Sequence, residues 1–354
     1  MNPCTEAMAL RTLHEALGPI APGHERILRP TADGPMATER RDGLPPRVHT
    51  LVDGGVVELR PEHDAGLPGA SLLADTEALA ALLSPVVGRP LAADLVAWRP
   101  GRRAVLRVMT GRGIVWLKLL DVRSWRRAQR AFAALGETLA PVQLARPLAL
   151  LPEVAGYLAP HAAGTCLRDA GTELSTTTLV RSVMALAYTQ ILGELPTFDF
   201  AAARAAAVKS LQQAAGLRPD LAGLTARVRD LVAPAPPTRP GFVHGDLHDK
   251  QLFVDGTTTT LIDLEGAAAG DSRFDAVNLA EHLRLRELQS GTKSRGIADH
   301  LLMRCALHPD DLATVAFRAV VRARLCGVYA LRPRWQLLVD QLCTETMILL
   351  ERLP

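Results

Sequence analysis

The stretch "FVHGDLHDKQLFV", Phe242 to Val254, crowds His244, Asp246, His248, Asp249 and Lys250 between two apolar runs and closes the polar series with Gln251. A second stretch, "LIDLE", adds Asp263 and Glu265. Asp246 and Asp263 lie 17 residues apart. Between them, "QLFV" and "TTTTLIDL" are joined by Asp255-Gly256, a dipeptide that supplies the positive φ of a tight hairpin turn. A hairpin brings both carboxylates into one site. Two ionised carboxylates held close repel one another unless a cation or a shared proton compensates. Oxygen donors, few in number, suit a magnesium ion carried in on a nucleotide better than zinc or iron.

Composition narrows the partners. The chain has 354 residues, 48% of them hydrophobic, a length that suits two lobes or domains rather than one small core. Lys plus Arg exceeds Asp plus Glu by 40 to 37, so there is no electrostatic footprint for nucleic acid. Five scattered cysteines without paired spacing predict neither a disulfide framework nor a zinc site, and point to a reducing cytoplasm. No stretch approaches the ~20 apolar residues a bilayer requires. Only four lysines occur, Lys118, Lys209, Lys250 and Lys293, so a lysine at a special position is a marked choice.

The elements that must position these residues follow from periodicity. Thr5 to Leu17 reads as a short helix, and the Pro-, Gly- and charge-rich run to about residue 50 as an N-terminal extension or flexible arm. "VVELR" is a strand, and "LLADTEALAALLSPVVG" a helix with Asp75 or Thr76 as cap. "LVAWR", "AVLRVM" and "IVWLKLL", separated by Gly-containing turns, form an antiparallel meander. The helix "SWRRAQRAFAALG" comes next, with Ser124 as N-cap and Gly136 as stop. "PLALLP" and "AGYLAP" complete a five-stranded sheet, and the remainder is mainly helical. The domains expected are the extension 1–50, an N-lobe over 51–158 and a C-lobe over 159–354.

"HGDLHDKQ" followed by "LIDLEGAAAGDSRFDAVNLA" resembles the aminoglycoside phosphotransferase and choline kinase superfamily, over residues from about 90 to 354. The resemblance implies an α+β, bilobal protein-kinase-like fold that holds ATP and Mg2+ between its lobes. It makes Asp246 the catalytic aspartate that orients the acceptor hydroxyl and takes its proton. Asp263 becomes a metal ligand, Gln251 a variant of the family's asparagine ligand, and Glu265 a further ligand. Lys250 is expected at the transferring phosphoryl group and Lys118 at the α and β phosphates. Arg102 sits in the turn that covers the phosphates, and the backbone around Leu158 and Pro160 would bond the adenine.

The function implied is a cytoplasmic phosphotransferase acting on a hydroxyl of a small molecule or biosynthetic peptide, with a protein partner possible and neither nucleic acid nor membrane involved. Two departures keep an alternative open. Gln251 replaces asparagine, and the helix after Lys118 contains no glutamate; Gln129 lies inside it and Glu137 beyond it. The alternative is a pseudokinase that binds nucleotide or serves as a scaffold. From residue 270 onward twelve Lys or Arg stand against ten Asp or Glu. That balance argues against a pocket for polycationic aminoglycosides.

Overall fold

The computed structural model describes residues 3–31, 33–170, 176–235, 240–290 and 296–354. The chain forms two compact units, the first from residues 1–132 and 145–161, the second from 133–144 and 162–354.

The first unit opens with α1 (Pro3–Ala16), then β1 (His24–Thr31), β2 (Gly34–Arg41), β3 (Arg47–Val52) and β4 (Gly55–Glu58). These strands pair in sequence order as a four-stranded antiparallel sheet. β1 and β2 thus fall within the Pro- and Gly-rich run expected as an extension or flexible arm. Its glycines serve turns: Gly34 and Gly54 adopt φ 119° and 80° between strands. Buried Arg26 anchors this sheet to α1, since it pairs with Glu39 at 2.6 Å and donates to the carbonyls of His14, Leu17 and Gly18.

α2 (Thr76–Val87) is capped by Asp75, whose carboxylate accepts from the Ala78 N–H at 2.9 Å. Then come β5 (Ala92–Arg99), β6 (Arg103–Thr110), β7 (Gly113–Leu120) and α3 (Val122–Ala134). After β8 (Val142–Leu144), which belongs to the second unit, β9 (Ala149–Leu151) and β10 (Gly156–Pro160) complete the expected five-stranded antiparallel sheet, in the order β5-β6-β7-β10-β9. In β6, Ala104, Leu106 and Val108 face inward at every second residue, the period of a half-buried strand. Central β7 differs. Leu117 and Leu119 join the main core with Leu106, Trp98 and Leu158, while Leu120 joins Trp125, Ala128 and Tyr157 beneath α3. α3 starts two residues before the expected cap, because the Asp121 carboxylate accepts from both Arg123 N–H and Ser124 N–H at 3.0 Å. Ser124 is within the first turn and donates its hydroxyl to Asp121.

The second unit contains β11 (Thr165–Cys166), α4 (Thr176–Ala187), β12 (Thr197–Phe198), α5 (Phe200–Ala215), α6 (Ala222–Arg229) and β13 (Gly241–Val243). The hairpin read from sequence is β14 (Leu252–Asp255) with β15 (Thr258–Leu261), and Gly256 at φ 57° turns it. β11 flanks it on one side and β8, parallel to β15, on the other. β16 (Ala268–Gly270) pairs with β12 and β13, after which α7 (Arg273–Ser290), α8 (Ile297–Arg304), α9 (Leu312–Ala330) and α10 (Gln336–Glu351) follow. Among the described residues no helix is long and apolar enough to cross a membrane.

α9 packs so closely on α5 that a Cβ at Gly327 would come within 2.6 Å of the Leu211 nitrogen and inside contact distance of the Ser210 carbonyl. Backbone cannot yield as a side chain can, so Gly327→Ala is expected to destabilise the fold by about 2 kcal/mol or more. A lower urea midpoint at unchanged slope would show it.

Candidate active site

One face of α7 builds the polar loop. Asp275, Asn278, His282 and Arg286 follow at spacings of three, four and four residues, which aligns them along a single side of the helix. The Asp275 carboxylate accepts from His244 N–H at 2.6 Å and from Gly245 N–H at 3.0 Å. Asn278 donates to the Leu247 carbonyl at 2.7 Å. The His282 ring stacks on His248 with centroids 4.9 Å apart. Arg286 binds the buried Asp249 carboxylate at 2.6 Å through Nε. The chain from His244 to Asp249 is thus held residue by residue, and Gly245 at φ 81° lets it turn.

His244 couples the two acidic segments. Its ring, 1% exposed, has Nε2 at 3.0 Å from the Ile262 carbonyl, and Nδ1 accepts from the Asp246 N–H at 3.4 Å. That pattern assigns the proton to Nε2. Ile262 N–H bonds in turn to the Gln251 carbonyl at 3.0 Å. Asp263 then takes a left-handed conformation, φ 63° and ψ 44°, at the end of this tie. Aspartate tolerates that region better than most side chains.

The loop carries uneven charge. Asp246 is half exposed and pairs with Arg324 of α9 at 2.9 Å. Burial alone would raise its pKa, but Arg324, His248 and His282 together hold it below the usual carboxylate value. Asp249, buried and bonded to Arg286 with His248 alongside, sits well below that range. Asp275 goes the other way: burial lifts it to about 6 against the opposing pull of His244 and two backbone N–H groups. His282 is depressed to about 3, first by burial and then by His248, so it is neutral at physiological pH. Lys250 is exposed, and its pKa is lowered by desolvation and by Arg168 and Arg286.

The second unit thus carries Asp246, Lys250, Gln251, Asp263 and Glu265 on the loop and hairpin. Gln251 is 5% exposed, and its amide oxygen accepts from the His248 N–H at 3.1 Å, so the oxygen expected to bind metal also staples the loop. Lys118, Arg102, Leu158 and Pro160 belong to the first unit. Lys118 is only 7% exposed, with Nζ 5.5 Å from the Tyr157 ring centroid, a cation held on an aromatic face. Arg102 is half exposed, 3.9 Å from Asp121. The β5–β6 turn beside it is pinned by Asp64, which accepts from Gly101 N–H and from the Trp98 indole at 2.8 Å. Leu158, whose backbone is expected near the adenine, buries its side chain in the core, and its carbonyl accepts from Leu148 N–H at 2.7 Å. Pro160 ends β10, partly exposed.

The donor set fits a magnesium nucleotide. Asp263, Glu265 and Gln251 offer hard oxygens, and among the described residues no group of three His, Cys, Asp or Glu forms a cage that would hold a metal unaided. Sequence reasoning missed Asn278, His282, Arg286 and Arg324. For the first three the signal was present in the polar 3-4-4 spacing of "DAVNLAEHLRLR"; Arg324 lies 78 residues from Asp246 and carries no local signal.

The chain belongs to the Phosphotransferase enzyme family, whose model matches residues 70–301. It is a phosphotransferase. Aminoglycoside phosphotransferase APH(4)-Ia aligns at 10% identity over 78% of this chain and 98% of its own, with a TM-score of 0.51. APH(3'')-Id from Streptomyces rimosus aligns at 16% identity over 71% and 98%, also with a TM-score of 0.51. These likenesses show the fold, antiparallel sheets followed by a mainly helical part. No curated protein sequence matches the chain.

Asp275 sets a pH signature. Its folded pKa near 6 exceeds the ordinary value of 3.8, so between these limits the folded state binds more protons than the unfolded. Its contribution is most favourable below about pH 4 and is lost as pH rises through 6. Asp275→Asn removes the titration and misplaces an amide donor against a backbone N–H. Relative to this variant, wild-type stability is expected to fall by up to about 3 kcal/mol from pH 4 to 7, read by urea melts at each pH.

Proposed function

We propose that this phosphotransferase transfers the γ-phosphoryl group of Mg·ATP to a hydroxyl of a small molecule or a biosynthetic peptide. The observation that carries this reading is the contrast around Asp246. Its backbone neighbours are fixed by His244, Asp275 and Asn278, while its carboxylate is 47% exposed. A rigidly mounted carboxylate open on one side is what orientation of a hydroxyl requires. A thermostable mutant of APH(4)-Ia has been crystallised in ternary complex with AMP-PNP and hygromycin B, which supports a nucleotide and a small molecule as the two ligands here.

Bound Mg·ATP would supply the phosphoryl group and leave as ADP. Asp246 orients the acceptor oxygen toward phosphorus and takes its proton as the new P–O bond forms. A carboxylate with a lowered pKa is a weak base, but a loose transition state asks for positioning more than for basicity. Asp263 is assigned to the metal, with Gln251 and Glu265 as further oxygen donors. Lys118 is assigned to the phosphates, where a compact ammonium neutralises charge. Arg102 is assigned to the same phosphates, Pro160 to the adenine, and Lys250 to the transferring phosphoryl group.

Titration calorimetry with Mg·ATP and Mg·GTP tests this. Wild type is expected to bind nucleotide only with metal, Asp263→Asn to lose that binding, and Asp246→Asn to keep it while transfer falls by about 100-fold or more. Absence of metal-dependent binding by wild type would overturn the reading. Binding without turnover on any acceptor would favour a pseudokinase.

A further inference from the structure

We propose that the acceptor is an anionic hydroxy compound, one whose hydroxyl lies near a carboxylate or phosphate group, and that Arg324 exchanges Asp246 for that anion when it binds. The inference rests on the phosphotransferase reading and names the substrate class of the same site.

An arginine contacts each of the two loop carboxylates. Arg324 contacts it at 2.9 Å and Arg286 contacts Asp249 at 2.6 Å. Lys250 projects from the loop with Arg168, Arg286 and Arg332 as like-charged neighbours. Arg332 is tied to this group by Tyr329: its guanidinium lies 4.4 Å from the Tyr329 ring centroid, and Tyr329 lies near Arg286. Arg168 stands over the loop through its N–H, which donates to the Asp249 carbonyl at 3.0 Å. Arg324 and Arg286 thus contact Asp246 and Asp249 directly, and Arg168 and Arg332 lie near Lys250, while Asp275 and Asp169 add negative charge to the same neighbourhood. An acceptor anion placed at Arg324 would be drawn in by the guanidinium.

Two further observations point to a ligand. Arg324 holds one oxygen, Oδ1, of the carboxylate that must receive the acceptor hydroxyl, so an acceptor binds beside that ion pair and competes with it. An acceptor bearing its own anion does so without stranding a guanidinium, because Arg324 trades one oxyanion for another and frees the Asp246 oxygen for the hydroxyl. A neutral or cationic acceptor leaves Arg324 unmatched. Beside this pair, both ring nitrogens of His282 are buried with no hydrogen-bond partner among the described residues. A neutral imidazole there can donate to an acceptor oxygen. Arg324 of α9 and Arg332, two residues past its end, lie beyond residues 70–301, the part of the chain that the family model matches.

The test uses the full chain saturated with Mg·AMP-PNP, whose binding is measured first and reports on the phosphotransferase reading alone. Calorimetric titrations then follow with 3-phosphoglycerate, glycerate, glycerol 3-phosphate and kanamycin, repeated on nucleotide-free protein. 3-Phosphoglycerate is expected to bind, with Kd about tenfold or more weaker in Arg324→Gln and in Arg332→Gln, and kanamycin not to bind. Glycerate and glycerol 3-phosphate separate the carboxylate from the phosphate as the anion recognised. Circular dichroism melts identify a variant that fails to fold, and the other variant then decides. The proposal is overturned if kanamycin binds and the anions do not, if none of the anions binds at about 10 mM, or if anion affinity is unchanged in the folded arginine variants.

Discussion

A buried carboxylate, Asp275, holds the active loop by accepting the His244 and Gly245 N–H groups. Both donors sit where no strand or helix can satisfy them, and each would cost about 1–3 kcal/mol if left unpaired. The remainder follows from that anchorage. With His244 fixed, its ring reaches Ile262 on one side and Asp246 on the other, which sets Asp263 and Asp246 in register. Burial raises the Asp275 pKa, an unfavourable contribution that accompanies the rigid mounting of this loop.

The same helix serves two masters. One face of α7 grips the loop through Asp275, Asn278, His282 and Arg286. The other presents Glu281, 2% exposed, to Arg318 at 2.6 Å and to Arg322 of α9, and Arg322 continues to Glu345 of α10. Buried charges of this kind stabilise only when every partner is present. Their geometry locks α9 in rotation about its axis. Arg324, two residues beyond Arg322, is thereby delivered to Asp246, so a structural ion-pair network fixes the partner of that carboxylate.

Most of the fold is legible in the sequence where the signal is local. The five-stranded sheet, the hairpin at Asp255-Gly256 and the cap at Asp75 each follow from alternation, turn chemistry or a single side chain. The N-terminal sheet was illegible because Pro30, Pro35 and several glycines lie within or beside its strands, and such residues ordinarily mark loops. Asp121 was overlooked as a cap because it directly follows an apolar strand and Ser124 offered a conventional alternative. Within the site, Asp246, Gln251 and Asp263 stand out by type and spacing. Arg324 was invisible for a different reason. Its meaning lies in a tertiary contact across 78 residues, and an arginine inside an apolar helix reads as an ordinary solvated charge.

The account turns on Asp246 and Asp263 serving one nucleotide-dependent transfer. The most direct measurement is a crystal structure with manganese and AMP-PNP, with the metal located by its anomalous signal. The account predicts a manganese peak in direct contact with the Asp263 carboxylate and with AMP-PNP phosphate oxygens, and an open approach from Asp246 toward the γ-phosphorus. A metal held elsewhere, or phosphates remote from Asp263, would contradict it.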